Sequence, residues 1–313
     1  MFCFDMFGWS GSSDSVTIAI SENDNVTVVC EKLEKSDVIL NQNFFKLYYK
    51  ISKSDVTIHP GDIKVSKNSS YKEIVKAIAK PQSDTITVTI PEGFELREIA
   101  QRLLEKKLIS NEDEFYTALD EFTLTLNQDV TVSGKDMLAG FLFPDTYEFK
   151  QNVSCESIIQ KMTDNFKSKW TDELDKKAKS LDMDVEEVII LSSIVEREAR
   201  EAEDFPIVAA VFLNRLENKK PLESCATVQF ILHERKPVLS VEDTHIESPY
   251  NTYQKAGLPP TPISAPGMRA INAVLNPTET DYLYFFTDQN GENHYSKSYQ
   301  EHISLIQQFG LTR

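Results

Sequence analysis

The sequence predicts an α+β fold in which β-α-α-β modules precede a mixed helical and β region. Three observations carry that expectation. A segment starting at Val16 repeats from Ile86, at an offset of 70 residues. Each copy opens with alternating apolar residues and continues with apolar residues at helical spacing. From Trp170 the pattern is helical, until a strand, a turn, a second strand and a last helix close the chain.

Under the offset, Thr17 meets Thr87, Ile20 meets Ile90 and Glu22 meets Glu92. Leu33 meets Leu103, Ile39 meets Ile109, Asn41 meets Asn111 and Phe45 meets Phe115. Apolar character also agrees at Val26 and Leu96, Val29 and Ile99, and Val38 and Leu108. In the second copy Ile86, Val88 and Ile90 alternate as a half-buried strand does. Pro91-Glu92-Gly93 then makes a turn. Leu96, Ile99, Leu103 and Leu104 mark one buried helix face. Asn41 and Asn111 are expected N-caps of a second helix. The returning strand passes through Ile63 and Val65 in the first copy and lies in Gly140 to Phe149 (GFLFPDTYEF) in the second. Helices of Ile74, Val75 and Ile78, and of Ile158, Ile159 and Met162, follow the two strands.

Two readings of the repeat stay open at this point: duplication for packing, and a small module that grips glycan. The second returning strand is far more aromatic than the first. Its three Phe and one Tyr either pack a core or line a sugar-binding wall.

Composition narrows the function classes. The 313 residues include 33 basic and 49 acidic side chains, a net charge of −16. A phosphate-tracking surface needs the opposite sign, so nucleic acid is excluded as a partner. Cys3, Cys30, Cys155 and Cys225 form no CxxC pair, so no metal site is expected from them. No apolar run is long enough for a membrane span. The start, MFCFDMFGW, lacks the basic leader and apolar length of a signal peptide.

Asp184 and Glu187 have the spacing of a capping box, and the helix they open runs VIILSSIVEREAR to Arg200. Val185, Val188, Ile189 and Leu191 make its first half nearly all apolar, as in a buried central helix. Glu196 falls one turn beyond Ser192, at or beside the buried face. A carboxyl placed there loses solvent, which raises its pKa toward the range of a general acid. The alternative is an ordinary ion pair with Arg200, four residues on. Glu198 and Glu203 are expected on the solvated face. A further helix follows Pro206. Five prolines between Pro249 and Pro266 stiffen a loop that carries Tyr250, Asn251, Thr252 and Tyr253. Such side chains on a stiff loop suit stacking on sugars and hydrogen bonding to acetamido groups.

Six blocks, in order, resemble the MltG/YceG-like endolytic murein transglycosylases: Gly140 to Phe149, Leu191 to Ala199, Val211 to Leu216, Pro221 to Gln229, Ser248 to Gly267 and Leu275 to Phe285. The resemblance runs from about Val16 to the last helix. It implies cleavage inside nascent glycan strands, between N-acetylmuramic acid and N-acetylglucosamine, leaving 1,6-anhydro-muramic ends. It implies a lyase that needs no cofactor. It places the catalytic carboxyl at Glu196. It implies a LysM-like module at 16–82 and a catalytic domain at 83–313, with a second LysM-like repeat at 83–165. Residues 1–15 are then the remnant of an anchor or a disordered start. The implied setting is the outer face of a bacterial cell membrane, with peptidoglycan strands as substrate and peptidoglycan synthases as partners. Tyr250, Asn251, Tyr253 and Gln229 are candidate sugar-positioning residues, and Asn214 a candidate to orient Glu196. A departure from the family pattern stands at Cys225, where an acidic residue is common. The rival reading is a non-catalytic peptidoglycan-binding module of the same fold.

Overall fold

A computed structural model of the chain describes residues 14–21, 23–52, 57–80, 85–126, 130–236 and 238–310. Residues 1–13 of the expected anchor remnant, with Cys3, and also Glu22 lie outside the described residues. The chain divides into two compact units, one up to Thr85 and one from Ile86.

In the first unit β1 (Ser15–Ile20) leads to α1 (Val26–Lys35), α2 (Gln42–Ile51), β2 (Gly61–Ser66) and α3 (Tyr71–Ala79). β1 and β2 pair antiparallel, with Val16 opposite Val65 and Ile18 opposite Ile63. Alternation therefore turns Ile18, Ile20, Ile63 and Val65 to one face. That face packs on Val29 and Leu33 of α1, Phe45 of α2 and Ile74 and Ile78 of α3. Tyr71 is fully buried there, edge-on to Phe45 with ring centres 5.0 Å apart. Asn25 caps α1 and Asn41 caps α2, each side chain accepting from backbone N–H groups of the first turn.

The second unit opens with the same series: β3 (Thr85–Thr89), α4 (Leu96–Glu105) and α5 (Glu112–Glu121), the last capped by Asn111. A hairpin of β4 (Thr123–Thr125) and β5 (Thr131–Ser133), the short α6 (Lys135–Leu138) and a 3-10 turn at Ala139–Phe141 intervene before β6 (Thr146–Lys150), which pairs with β3. The strand expected across Gly140 to Phe149 therefore begins only at Thr146. Gly140 explains why: a side-chain carbon there would lie 2.5 Å from Pro262 and 2.6 Å from Ile189, so the segment is a close crossing and not a pleat. Phe141, Phe143, Tyr147 and Phe149 are all buried, which settles the aromatic stretch as core and not a sugar wall.

The remaining helices are α7 (Cys155–Lys169), α8 (Asp172–Ser180), α9 (Val185–Glu198), α10 (Asp204–Glu217), α11 (Cys225–Leu232) and α12 (Met268–Leu275). An antiparallel hairpin, β7 (Tyr284–Thr287) and β8 (Asn293–Ser296), precedes α13 (Tyr299–Gln308). The capping box of Asp184 and Glu187 starts α9 as the spacing predicts. α9 packs against α10, α11 and α12, and every residue from Val188 to Val195 is buried. It is thus a central helix with a buried middle, whose first-turn Glu186 and Glu187 and last-turn Glu196 to Glu198 are partly exposed. Among the described residues no helix is long and apolar enough to cross a membrane.

Candidate active site

Glu196 stands on that last turn of α9, half-buried. The helix ends at Glu198 and the chain turns extended at Ala199, so the i,i+4 geometry that would pair Glu196 with Arg200 is lost. No Glu196–Arg200 bridge forms. Instead one Glu196 oxygen accepts the backbone N–H of Gly267, at 2.9 Å. Burial pushes the Glu196 carboxyl up to about 7. The Gly267 N–H opposes that rise, the carboxylate of Glu92 adds to it, and Arg269 opposes it more weakly.

The loop that delivers Gly267 is nailed to α9. Ile263 donates its N–H to the Ser193 hydroxyl, and the Ser264 hydroxyl donates to the Ser193 carbonyl. Ser192 and Ser193, adjacent on α9, are both fully buried. Ala265 then exchanges backbone hydrogen bonds with the turn before α4: Gly93 N–H to Ala265 at 2.8 Å, and Ala265 N–H to Phe94 at 2.8 Å. The turn of the second repeat is therefore part of the site. Gly93 has φ +75°, and a side-chain carbon added there would sit 3.6 Å from Glu196 Cγ and 3.5 Å from Arg197 Cδ. A carbon added at Gly267 would overlap the Glu92 carboxylate. Glu92 and Glu196 thus flank one glycine, Glu92 exposed and Glu196 half-buried.

Arg197 is held by Glu95, Nη1 to Oε1 at 3.0 Å, with the Glu95 side chain 1% exposed and the Arg197 side chain 6%. Arg97 bonds the other Glu95 oxygen at 2.8 Å. A buried carboxylate satisfied from both sides fixes the turn against the end of α9.

A cavity of about 500 Å³ opens at the end of α9, against Arg197 and Glu198. Arg197, Arg200, Cys225, Gln229 and Tyr253 are among its lining residues. Gln229 donates to the Lys236 carbonyl at 2.8 Å, and its oxygen lies 3.5 Å from Arg197. Tyr253 Oη lies 3.2 Å from the exposed Cys225 sulfur. Tyr250 is half-buried, its hydroxyl 2.6 Å from that of Thr261 and its ring against Phe230.

Three sequence expectations change. Asn251 is fully buried, and its amide donates to the carbonyls of Thr244 and Ile246 while its oxygen accepts the N–H of Tyr253. It clamps the loop and has no group left to offer a sugar. Asn214 donates to the carbonyls of Thr280 and Tyr282, so it fixes the segment before β7 and does not orient Glu196. Glu198 is not solvated: it accepts from the Ser224 hydroxyl at 2.6 Å and from the Ala226 N–H at 2.9 Å, at the start of α11. That is the favourable end of a helix for a carboxylate.

Glu92, Gly93, Glu95, Arg197, Gly267 and Arg269 are the site residues that the sequence reading leaves out. Glu92 carried a signal, its match with Glu22 in a turn. Gly267 ends one of the six blocks. Asp288, Glu292 and His294 place ligand atoms within 4.8 Å of one another at the β7–β8 turn. Asp288 spends its oxygens there on the N–H groups of Asn290 and Glu292 and on His294.

A sequence profile of the YceG-like family matches residues 18–308. The chain is 33% identical over 306 residues to a Bacillus subtilis (strain 168) protein named endolytic murein transglycosylase, covering 93% of this chain and 84% of that one. It is 31% identical over 324 residues to a Streptococcus pneumoniae (strain D39) protein of the same name, covering 94% of this chain and 58% of that longer protein. A crystal structure of a yceG-like protein from Listeria monocytogenes is similar, with a TM-score of 0.63 and 31% identity over 94% of this chain and 100% of that one.

Proposed function

The chain belongs to the YceG-like family, and we propose from that membership and the geometry around Glu196 that it is an endolytic murein transglycosylase with one residue as both acid and base. The observation that carries the reading is Glu196 itself: half-buried, bonded to the Gly267 N–H, and raised to about 7.

At neutral pH a large share of such carboxyls keep their proton. Protonated Glu196 gives that proton to the glycosidic oxygen, and the bond to the muramic anomeric carbon breaks. The resulting carboxylate, steadied by the Gly267 N–H, takes the proton of the muramic 6-hydroxyl. That oxygen closes on the anomeric carbon and leaves a 1,6-anhydro end. No water enters, so no second carboxyl is needed to activate one. Glu92 has another part. Its charge beside Gly267 favours the protonated form of Glu196, the form that starts the reaction.

Within this reading residues 16–82 are a LysM-like module and residues 83–313 the catalytic domain, with 83–165 repeating the module. The substrate is peptidoglycan, and the site of action is outside the cytoplasmic membrane. Synthase partners and membrane attachment belong to the same proposal. Gln229 and Tyr253, on the cavity wall, and Tyr250 remain the proposed substrate contacts.

The test is product analysis. Wild type should release anhydro-ended muropeptides from purified strands, seen by mass spectrometry, and Glu196→Gln should release none while keeping its circular dichroism. Reducing ends in place of anhydro ends would make the enzyme a hydrolase. Full activity in Glu196→Gln would remove that residue from the mechanism. Strand binding without any product would leave the non-catalytic module.

A further inference from the structure

The cavity beside Glu196 has a charge pattern that the cleavage chemistry does not use. In a chain of net charge −16, its wall carries Arg197, Arg200, Arg215 and Lys236. The acids on the same wall are already committed. Glu198 takes Ser224 and Ala226, Glu223 pairs with Arg215 at 2.6 Å, and Asp288 holds the hairpin turn. Three of the cations are committed too. Arg197 is paired with Glu95, Arg215 with Glu223, and Lys236 with Asp243 at 2.9 Å. Arg200 differs. It is exposed, and no ion pair or hydrogen bond to it forms among the described residues. One of its terminal nitrogens lies 3.7 Å from where a side-chain carbon on Gly291 would be, so it sits at the β7–β8 turn.

A guanidinium with its fork free, on the wall of a cavity of about 500 Å³, suits a planar anion on a ligand of a few residues. Glu196 does not line the cavity, but Arg197 does, and a side-chain carbon on Gly93 would meet both Arg197 Cδ, at 3.5 Å, and Glu196 Cγ, at 3.6 Å. A ligand group seated against Arg197 is therefore close to the sugar at Glu196. Murein glycan carries its anions there, as carboxylates of the short peptide on each muramic residue.

We propose that this cavity is a peptide-stem subsite, in which Arg200 binds a stem carboxylate and so sets the register of the strand on Glu196. The proposal rests on the murein reading above and names the part of the substrate that the cavity takes. Gln229 and Tyr253 then face the peptide and its linkage instead of a bare sugar ring.

The probe is a synthetic muramyl tetrapeptide, compared with the same compound whose carboxylates are converted to carboxamides. Both are titrated calorimetrically into the full chain. Wild type should bind the carboxylate form about tenfold more tightly, the worth of one charge-assisted hydrogen-bonded pair. Arg200→Ala should bring that ratio to about one, and Arg200→Lys should restore part of it. Arg200 is exposed, so both variants should keep the wild-type circular dichroism. A ratio of one in wild type, or an unchanged ratio in Arg200→Ala, would overturn the subsite. In strand cleavage, the preference of wild type for peptide-bearing over amidase-stripped strands should shrink in Arg200→Ala through KM, with kcat kept. If wild type gives no anhydro product from either strand, the lytic reading fails, while the calorimetric ratio still decides the subsite.

Discussion

The two copies of the repeat make the same local structure and put it to different uses. At the offset of 70 residues α1 coincides with α4 and α2 with α5, residue for residue. Even the left-handed residue after the first helix repeats, Asp37 at φ 53° and Lys107 at φ 57°. The turn before that helix is where they part. In the first copy it closes on itself: Asp24 takes the Ser21 N–H and pairs with Lys32, and Asn25 caps α1. In the second copy Glu95 occupies the cap position of Asn25, and the longer side chain reaches Arg197 at the end of α9. Gly93 replaces Asn23 and pairs with Ala265, which brings Glu92 to Gly267 and Glu196. A fold that needs only a cap at this position can exchange Asn for Glu and gain an anchor to the end of α9.

The largest effect should come from the cap position. Glu95→Ala leaves Arg197 buried without its partner and should cost about 3–5 kcal/mol in the second unit, with strand cleavage falling in parallel. Asn25→Ala should cost only about 1 kcal/mol and leave cleavage unchanged. Urea titration monitored by circular dichroism, with a product assay, reads both. Equal costs at the two positions would break the comparison.

Glu196→Gln should stabilise the fold at high pH. The carboxyl holds its proton up to about pH 7 when folded, against 4.5 for the free group, so folding stability from this residue falls as pH rises through that window. At pH 8 the neutral amide should gain roughly 2 kcal/mol over wild type, after discounting for partial exposure. At pH 4 the gain should vanish. A gain at pH 4 equal to that at pH 8 would remove titration as the cause.

Gly93→Ala forces φ +75° on a residue with a side chain and should cost roughly 1–2 kcal/mol, whereas Asn23→Ala, on an exposed turn, should stay within about 0.5 kcal/mol. Thermal melts of the two variants sharpen the contrast between the turns.

The smallest effects are shifts of the pH profile in opposite directions. Glu92→Gln removes a like charge and should move the alkaline limb to lower pH. Arg269→Gln removes an opposing charge and should move it to higher pH. Cleavage rates across a buffer series read both, and movement in the same direction would take one of these groups out of the site.

Local signals were the ones that could be read in the chain. The repeat, the caps at Asn41 and Asn111, and the Asp184–Glu187 box depend on residues within a few positions of each other. The placement of Glu196 at the edge of a buried helix follows from periodicity in the same way. What composition could not show is where a polar side chain spends its hydrogen bonds. Asn251 has the right groups for a sugar and Asn214 for orienting a carboxyl, yet the amide of each is consumed by backbone carbonyls. Glu198 looked solvated because its partners, Ser224 and Ala226, come from another helix. Glu92 was visible only as a repeat match, since the glycine it packs on lies in a distant loop.

The account turns on one carboxyl that keeps its proton near neutral pH, and the pH dependence of strand cleavage tests it most directly. With wild-type protein and purified glycan strands, kcat/KM should fall about tenfold per pH unit above about 7, following a single ionisation. A limb at the ordinary glutamate range, near 4.5, or a rate that stays flat to pH 9, would contradict a protonated Glu196 as the starting acid.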